Sequence, residues 1–129
     1  MTLDADLEAL ATGKNFAALS TLAADGQPRT HVMWIDADHE HVIFNTDVGR
    51  AKFADVERDP RVTVTVIDQA NPYRYIEVRG TVVETVTGEA AAAHIDAMAH
   101  RYTDAGYWGD TASRVIVKIA PVRLHKNGF

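Results

Sequence analysis

Between Arg61 and Asp68 the sequence reads Arg-Val-Thr-Val-Thr-Val-Ile-Asp, apolar and hydroxyl side chains in near-strict alternation. A period of two fits an extended strand with one buried face and excludes a helix there. Other segments follow the same logic. Phe16 to Ala23 suits a mostly buried strand, and Ala24-Asp25-Gly26-Gln27 supplies a turn with a glycine for positive φ. Pro28 opens the next strand, where a missing N–H is tolerated. In that strand Thr30, Val32 and Trp34 share one face, and His31, Met33 and Ile35 share the other. Asp36 to Glu40 is a polar turn before a third strand, His41 to Phe44. Three strands joined by such short turns predict an antiparallel meander. Tyr73 to Val86 is a long strand in which Gly80 marks a bulge or bend, and Arg114 to Ile119 is a last alternating strand.

Three segments carry the helical period instead. Leu3, Leu7 and Leu10 lie on one face over residues 3–12, with Thr2 as N-cap and Gly13 as the stop. Asn45-Thr46-Asp47 supplies capping residues for a helix over Val48 to Arg58, with Phe53 and Val56 on one face and Asp59-Pro60 ending it. Thr87-Gly88 starts an Ala-rich helix over 89–102, with His94/Met98 and Ile95/Tyr102 as face pairs. Thr103 to Thr111 is a loop containing Tyr107 and Trp108. About six strands and three helices predict a mainly β (β+α) fold: a closed or nearly closed antiparallel barrel with flanking helices.

Composition narrows the function. At 129 residues the whole chain, 1–129, fits one domain. Zero Cys excludes thiolate nucleophiles, Cys zinc sites and disulfides. Thirteen Lys and Arg against eighteen Asp and Glu give a net charge of −5 with no basic block, a poor match to nucleic acid. The apolar runs are far too short to span a bilayer. Acid near the N-terminus, where a signal peptide needs base, predicts a cytoplasmic protein. The six His show no metal-ligand spacing, so no metal site is expected, and no Gly-x-Ser-x-Gly elbow points to a hydrolase.

Two segments carry candidate chemistry. In Asn45-Thr-Asp-Val-Gly-Arg50-Ala-Lys52 a strand hands over to a helix. Helix-start N–H groups, the Arg50 fork, the Lys52 charge and the Thr46 hydroxyl together suit a phosphate. The plainer alternative is a solvated helix face. In Asn71-Pro-Tyr-Arg-Tyr75, Tyr73 and Tyr75 share a face, which suits either an aromatic edge strand or the wall of a planar-ligand site. Trp34 has the same two readings, core or ring neighbour. Glu77 and Arg79 pair either with each other or across an interface.

The ordered set Asn15-Phe-Ala-Ala-Leu-Ser-Thr-Leu-x-x-Asp25-Gly-x-Pro28, Val32-x-Trp34, Phe44-Asn-Thr-x-x-Gly49-Arg-x-Lys52, Arg58-Asp-Pro-Arg-Val62 and Asn71-Pro-Tyr-Arg-Tyr-x-Glu77-x-Arg79-Gly80 resembles the pyridoxamine 5′-phosphate oxidase-like split β-barrel superfamily. More closely, it resembles the flavin/deazaflavin oxidoreductases of the B type, which use coenzyme F420. The resemblance runs from about Asn15 to Arg123. It implies a six-stranded, FMN-binding-protein-like split barrel, paired as a homodimer with cofactor sites at the interface. It also implies that Arg50 and Lys52 grip the cofactor phosphate, that His31, Val32, Met33 and Trp34 lie along the ring system, and that Asn45 and Thr46 sit near the ribityl chain. Tyr73 and Arg74 would come from the partner chain, and Trp108 from a mobile loop over the site. Where many relatives carry small residues or Pro, this chain has Arg29-Thr30-His31 and Met33, which bears on substrate range.

The function so implied is hydride transfer between reduced F420 and an electron-poor small molecule such as an enone, quinone or tetrapyrrole. The alternatives are an FMN-dependent oxidase or reductase of the same fold and a non-catalytic deazaflavin- or tetrapyrrole-binding protein. The cofactor carries such chemistry, so no indispensable side-chain acid or base is expected, and His31 stands as the candidate proton donor. The anionic F420 tail needs a basic groove, for which Lys14, Arg29, Arg58, Arg61 and Arg74 are the candidates.

Overall fold

A computed structural model describes residues 2–129. The chain runs α1 (Ala5–Thr12), β1 (Phe16–Leu22), β2 (Pro28–Trp34), β3 (Asp36–Ala37), β4 (Val42–Asp47), α2 (Ala51–Arg58), β5 (Arg61–Ile67), β6 (Tyr75–Val86), α3 (Glu89–Thr103) and β7 (Arg114–Asn127). The seven strands form one antiparallel sheet in the order β2-β1-β5-β6-β7-β4-β3, curled into a half-barrel with the three helices on its flanks. This is the split-barrel architecture that the resemblance implies.

The alternation in the sequence becomes the core. Ala17 and Leu19 on β1, Val62, Val64 and Val66 on β5, and Ile76 and Val78 on β6 are buried, while their neighbours in sequence point outward. Leu7 and Leu10 of α1, with Leu3 just before it, close the barrel. Leu7 and Phe44 are fully buried, so truncating either to Ala would cost roughly 3–4 kcal/mol. In β4 every residue from Val42 to Thr46 is buried, because the barrel covers one face and α3 the other. Ile43 packs with Ala91 and Ile116 in a small second cluster there.

Several local expectations are corrected. The meander stops after the first hairpin: β4 pairs with β7 and β3 and has no ladder to β2. Among the described residues the strand count is seven, because Asp36–Ala37 pairs briefly with β4. Asn45-Thr46-Asp47 extend β4 and do not cap a helix, since the β7 ladder satisfies their backbone through the pairs Asn45↔Ile116, Thr46↔Val115 and Asp47↔Arg114. Helix α2 consequently starts at Ala51, with no side-chain cap. The N-cap of α1 is Asp4, whose carboxylate accepts from Leu7 N at 3.1 Å, and not Thr2. Strand β7 runs on to Asn127, because its second half completes the ladder with the start of β6. Strand β6 begins at Tyr75, so Tyr73 lies in the preceding turn and does not share a strand face with it.

Gly80 does sit at a register shift between β6 and β7. A Cβ there would lie 2.6 Å from Ile119 Cγ2 and 2.7 Å from Ala120 O, so only glycine lets the strands approach this closely.

Candidate functional site

The strand ends of β2 and β4, the start of α2, one face of α3 and the 103–114 segment surround a cleft of about 460 Å³. Eight of the eleven residues expected at a cofactor site line it: Val32, Met33, Trp34, Asn45, Thr46, Arg50, Lys52 and Trp108. The cleft is also lined by Phe16, Ile95, Met98, Tyr107 and Arg114.

One side is apolar and aromatic. Trp34 stacks on Tyr102 with ring centroids 5.0 Å apart and planes 4° from parallel. Trp108 meets the same indole edge-on at 5.9 Å, and Tyr107 lies 5.0 Å from Trp108. The Tyr102 hydroxyl donates to Asn15 O and accepts from Ile35 N at 3.0 Å, fixing the ring beneath Trp34. Burial pushes its pKa upward. Trp108 and Val32 are about three-quarters exposed, so both offer apolar surface to a ligand.

The cleft is also cationic, and one of its cations lies against the aromatic residues: the Arg114 guanidinium carbon is 5.3 Å from the Tyr107 ring centroid. Eight of the thirteen Lys and Arg pair with carboxylates; the five that do not, among the described residues, are Lys14, Arg50, Lys52, Arg114 and Arg123. Three of those five line the cleft. Burial pushes the Lys52 ammonium below its ordinary value, and the charges of Arg50 and Arg114 push it the same way. Like charges held together without a counter-ion are unfavourable, and a bound anion would relieve them.

Three expected residues do not line the cleft. His31 opposes Leu19 across the hairpin, is exposed and does not line the cleft of its own chain. Tyr73 is exposed in its turn. Arg74 pairs with Asp68 at 3.2 Å and lies 4.0 Å above the Phe129 ring. Of the candidate tail-binding cations, Arg29 and Arg58 pair with Asp55, Arg61 with Asp59 and Arg74 with Asp68. Only Lys14 of that set has no ion pair among the described residues. Glu77 and Arg79 approach each other at 3.6 Å. Four His each meet one carboxylate: His39 with Glu8, His41 with Asp38, His94 with Asp36 and His100 with Asp96.

Arg114 is the main residue that sequence reasoning missed. It looks like the unremarkable first residue of a strand, and only the β4–β7 register sets it beside Asn45. Ile95 and Met98 are read from the sequence in separate face pairs of α3, with Tyr102 and His94, and neither as a cleft residue.

Residues 3–127 match the family described as pyridoxamine 5′-phosphate oxidase. The chain belongs to that family. It is thus a flavin-type oxidoreductase split barrel by family. No curated protein matches it. Among solved structures, an F420 reductase is 32% identical, with a TM-score of 0.81 over 92% of this chain and 94% of that one. A conserved hypothetical protein from Mycobacterium tuberculosis is 23% identical, with a TM-score of 0.77 over 98% of this chain and 85% of that one. General Stress Protein 26 from Bacillus anthracis is 21% identical, with a TM-score of 0.70 over 92% and 88%. The last two likenesses concern the fold alone. Among the described residues no helix is long and apolar enough to cross a membrane.

Proposed function

We propose that the chain is an F420-dependent oxidoreductase that transfers a hydride between reduced deazaflavin and an electron-poor small organic molecule. The observation that carries this is the cleft itself: three cations without carboxylate partners among the described residues share it with indole and aliphatic surface. The 32% identity to an F420 reductase favours the deazaflavin over FMN.

The residues present fit such a cofactor. Arg50, Lys52 and Arg114 suit its phosphate, and Asn45 and Thr46 a polyol chain beside it. Trp34 and Val32 share a face of β2 and give apolar surface for a ring system, with Met33 also lining the cleft. When bound, the cofactor supplies the hydride. The chain binds and orients it, and Trp108 and Tyr107 from the 103–111 loop exclude water at the aromatic side. Among the described residues, no carboxylate and no His of this chain lines the cleft. We further propose that the chain acts as a homodimer: Tyr73, Val122 and Val32 leave large apolar area uncovered, and Tyr73 and Arg74 would reach a site only through a partner copy.

The test is a fluorescence titration with oxidised F420 and, separately, FMN. Micromolar binding of F420 with weak FMN binding is expected, followed by turnover with an enone or quinone acceptor. A preference for FMN would replace this reading with the flavin one. Tight F420 binding without turnover on a broad acceptor panel would make the protein a carrier. Binding of neither would reduce Arg50 and Lys52 to a solvated helix face.

A further inference from the structure

The three cations of the cleft are held in different ways. Arg50 and Lys52 make no side-chain hydrogen bond or ion pair among the described residues, whereas Arg114 ends a hydrogen-bonded chain that starts well behind the cleft. Asp36 on β3 accepts from Arg101 Nη2 at 2.6 Å through Oδ1 and meets His94 Nε2 at 2.9 Å through Oδ2. His94 Nδ1 lies 3.0 Å from Asn45 Nδ2, which also donates to Ala91 O at 3.1 Å. Arg114 Nε donates to Asn45 Oδ1 at 2.8 Å.

The direction of every link follows from chemistry. A guanidinium only donates, so the Asn45 atom facing it is the carbonyl oxygen. The amide nitrogen then faces both Ala91 O and His94, so Nδ1 of His94 accepts. His94 Nε2 carries the proton and donates to Asp36. The members are well packed: Asn45 is 8% exposed, and the side chains of His94 and Asp36 are 15% and 17% exposed.

A second fact sets this chain apart from ordinary packing. Asp47 stands directly across the β4–β7 ladder from Arg114, the position from which a carboxylate would neutralise it. No ion pair forms; the Asp47 carboxylate accepts instead from Gly49 N at 2.8 Å. Arg114 is turned diagonally to Asn45, toward the cleft. Nε is occupied there, and Nη1 has only a long 3.4 Å contact with the Tyr107 hydroxyl. Nη2 has no partner among the described residues. The two terminal nitrogens thus remain for a bidentate contact with an anion.

We propose that Asp36, His94 and Asn45 form a positioning relay that presents the Arg114 guanidinium to the cleft as the third cation of a phosphate subsite. The inference rests on the cleft being the cofactor site. Arg114 is the binding residue; Asn45, His94 and Asp36 act through it.

Two probes separate the phosphate from the ring: the deazaflavin with its phosphate but without glutamates, and the same riboside without the phosphate. Each is titrated by its own fluorescence against the wild-type protein, R114A, R114K and H94A, with melting curves to confirm folding. The wild type is expected to prefer the phosphorylated probe. Arg114→Ala should cut that preference about tenfold, the scale of a charge-assisted contact. Arg114→Lys keeps the charge but lacks the planar fork that can bond Asn45 through one nitrogen and an anion through the other two, and should recover only part of the loss. His94→Ala lies off the cleft, and should cut the preference about threefold while leaving the unphosphorylated probe unchanged. Equal loss for both probes would mean that the relay only supports the fold, and would overturn the proposal. An unchanged preference in R114A would overturn it while leaving the cofactor site standing. No phosphate preference in the wild type would overturn both readings.

Discussion

Helix α2 carries two groups of charged residues, and they are treated in opposite ways. At its C-terminal half, Asp55 is buried and surrounded: Thr21 donates to it at 2.7 Å, Arg29 at 2.8 Å and Arg58 at 3.0 Å. Arg58 also reaches Leu22 O at 2.9 Å, so this group ties α2 to the β1–β2 hairpin. Burial by itself would raise the Asp55 pKa, but the bonds from Arg29, Thr21 and Arg58 outweigh it and hold the carboxyl below its ordinary value. At the N-terminal end, Arg50 and Lys52 face Arg114 with no carboxylate among them. The same residue types make a satisfied structural lock at one end and an unsatisfied cationic pole at the other. Charges left unpaired at a cleft lower stability, which is the usual mark of a ligand site.

The largest expected effect would break the lock. Asp55→Ala leaves Arg29, Arg58 and Thr21 without their shared acceptor. Because both arginines reach water, the cost should be about 2–3 kcal/mol, somewhat below that of a fully buried pair. Thermal melting should show a fall of about 10 °C. A melting point within a degree or two of wild type would show that the group is ornamental.

The cationic pole should respond inversely. Arg50→Ala combined with Lys52→Ala should weaken F420 binding at least about tenfold. Its melting point should equal or slightly exceed that of wild type, since like charges are removed. A loss of stability together with a loss of binding would erase the contrast between the two ends of α2.

Ligand addition sharpens the same contrast. At about a hundred times its Kd the cofactor should stabilise the wild type by about 2.7 kcal/mol. It should stabilise D55A to the same extent, and the Arg50/Lys52 double variant by about half as much or less at the same concentration. Trp108→Ala should be milder: the residue is 74% exposed, so melting should hardly change, while cofactor affinity falls a few-fold through the lost edge contact with Trp34.

The smallest effect is one of pH. Asp55 is held below its ordinary pKa. Asp38 is lowered to about 2, because the N–H groups of Glu40 and His41 and the His41 ring outweigh the upward push of burial. A depressed folded-state pKa contributes stability above the unfolded value, and that contribution is lost as pH falls through the folded one. Denaturant unfolding should therefore show falling stability from about pH 4 toward pH 2, with a shallower fall in D55N. An equally steep fall in D55N would remove Asp55 from the acid response.

Much of this protein could be read from its sequence, for a local reason. The period of two at 61–67 and the glycine turn at 24–27 are local signals, and β5 and the β1–β2 hairpin follow them. The anion-type residues at 45–52 are close in sequence, so Asn45, Thr46, Arg50 and Lys52 fall together at one strand–helix junction whatever the rest of the fold does. Strand order obeyed no local signal. Nothing in Val42 to Phe44 says that this strand pairs with β7 and not with β2, because both pairings would bury the same side chains. The tertiary structure alone therefore decided that Arg114 joins the cleft, that Asn45 turns toward it with His94 and Asp36 behind, and that Arg29 and Arg58 converge on Asp55. Those contacts join residues far apart in the chain, and side-chain periodicity records which face is buried but not which strand lies beside it.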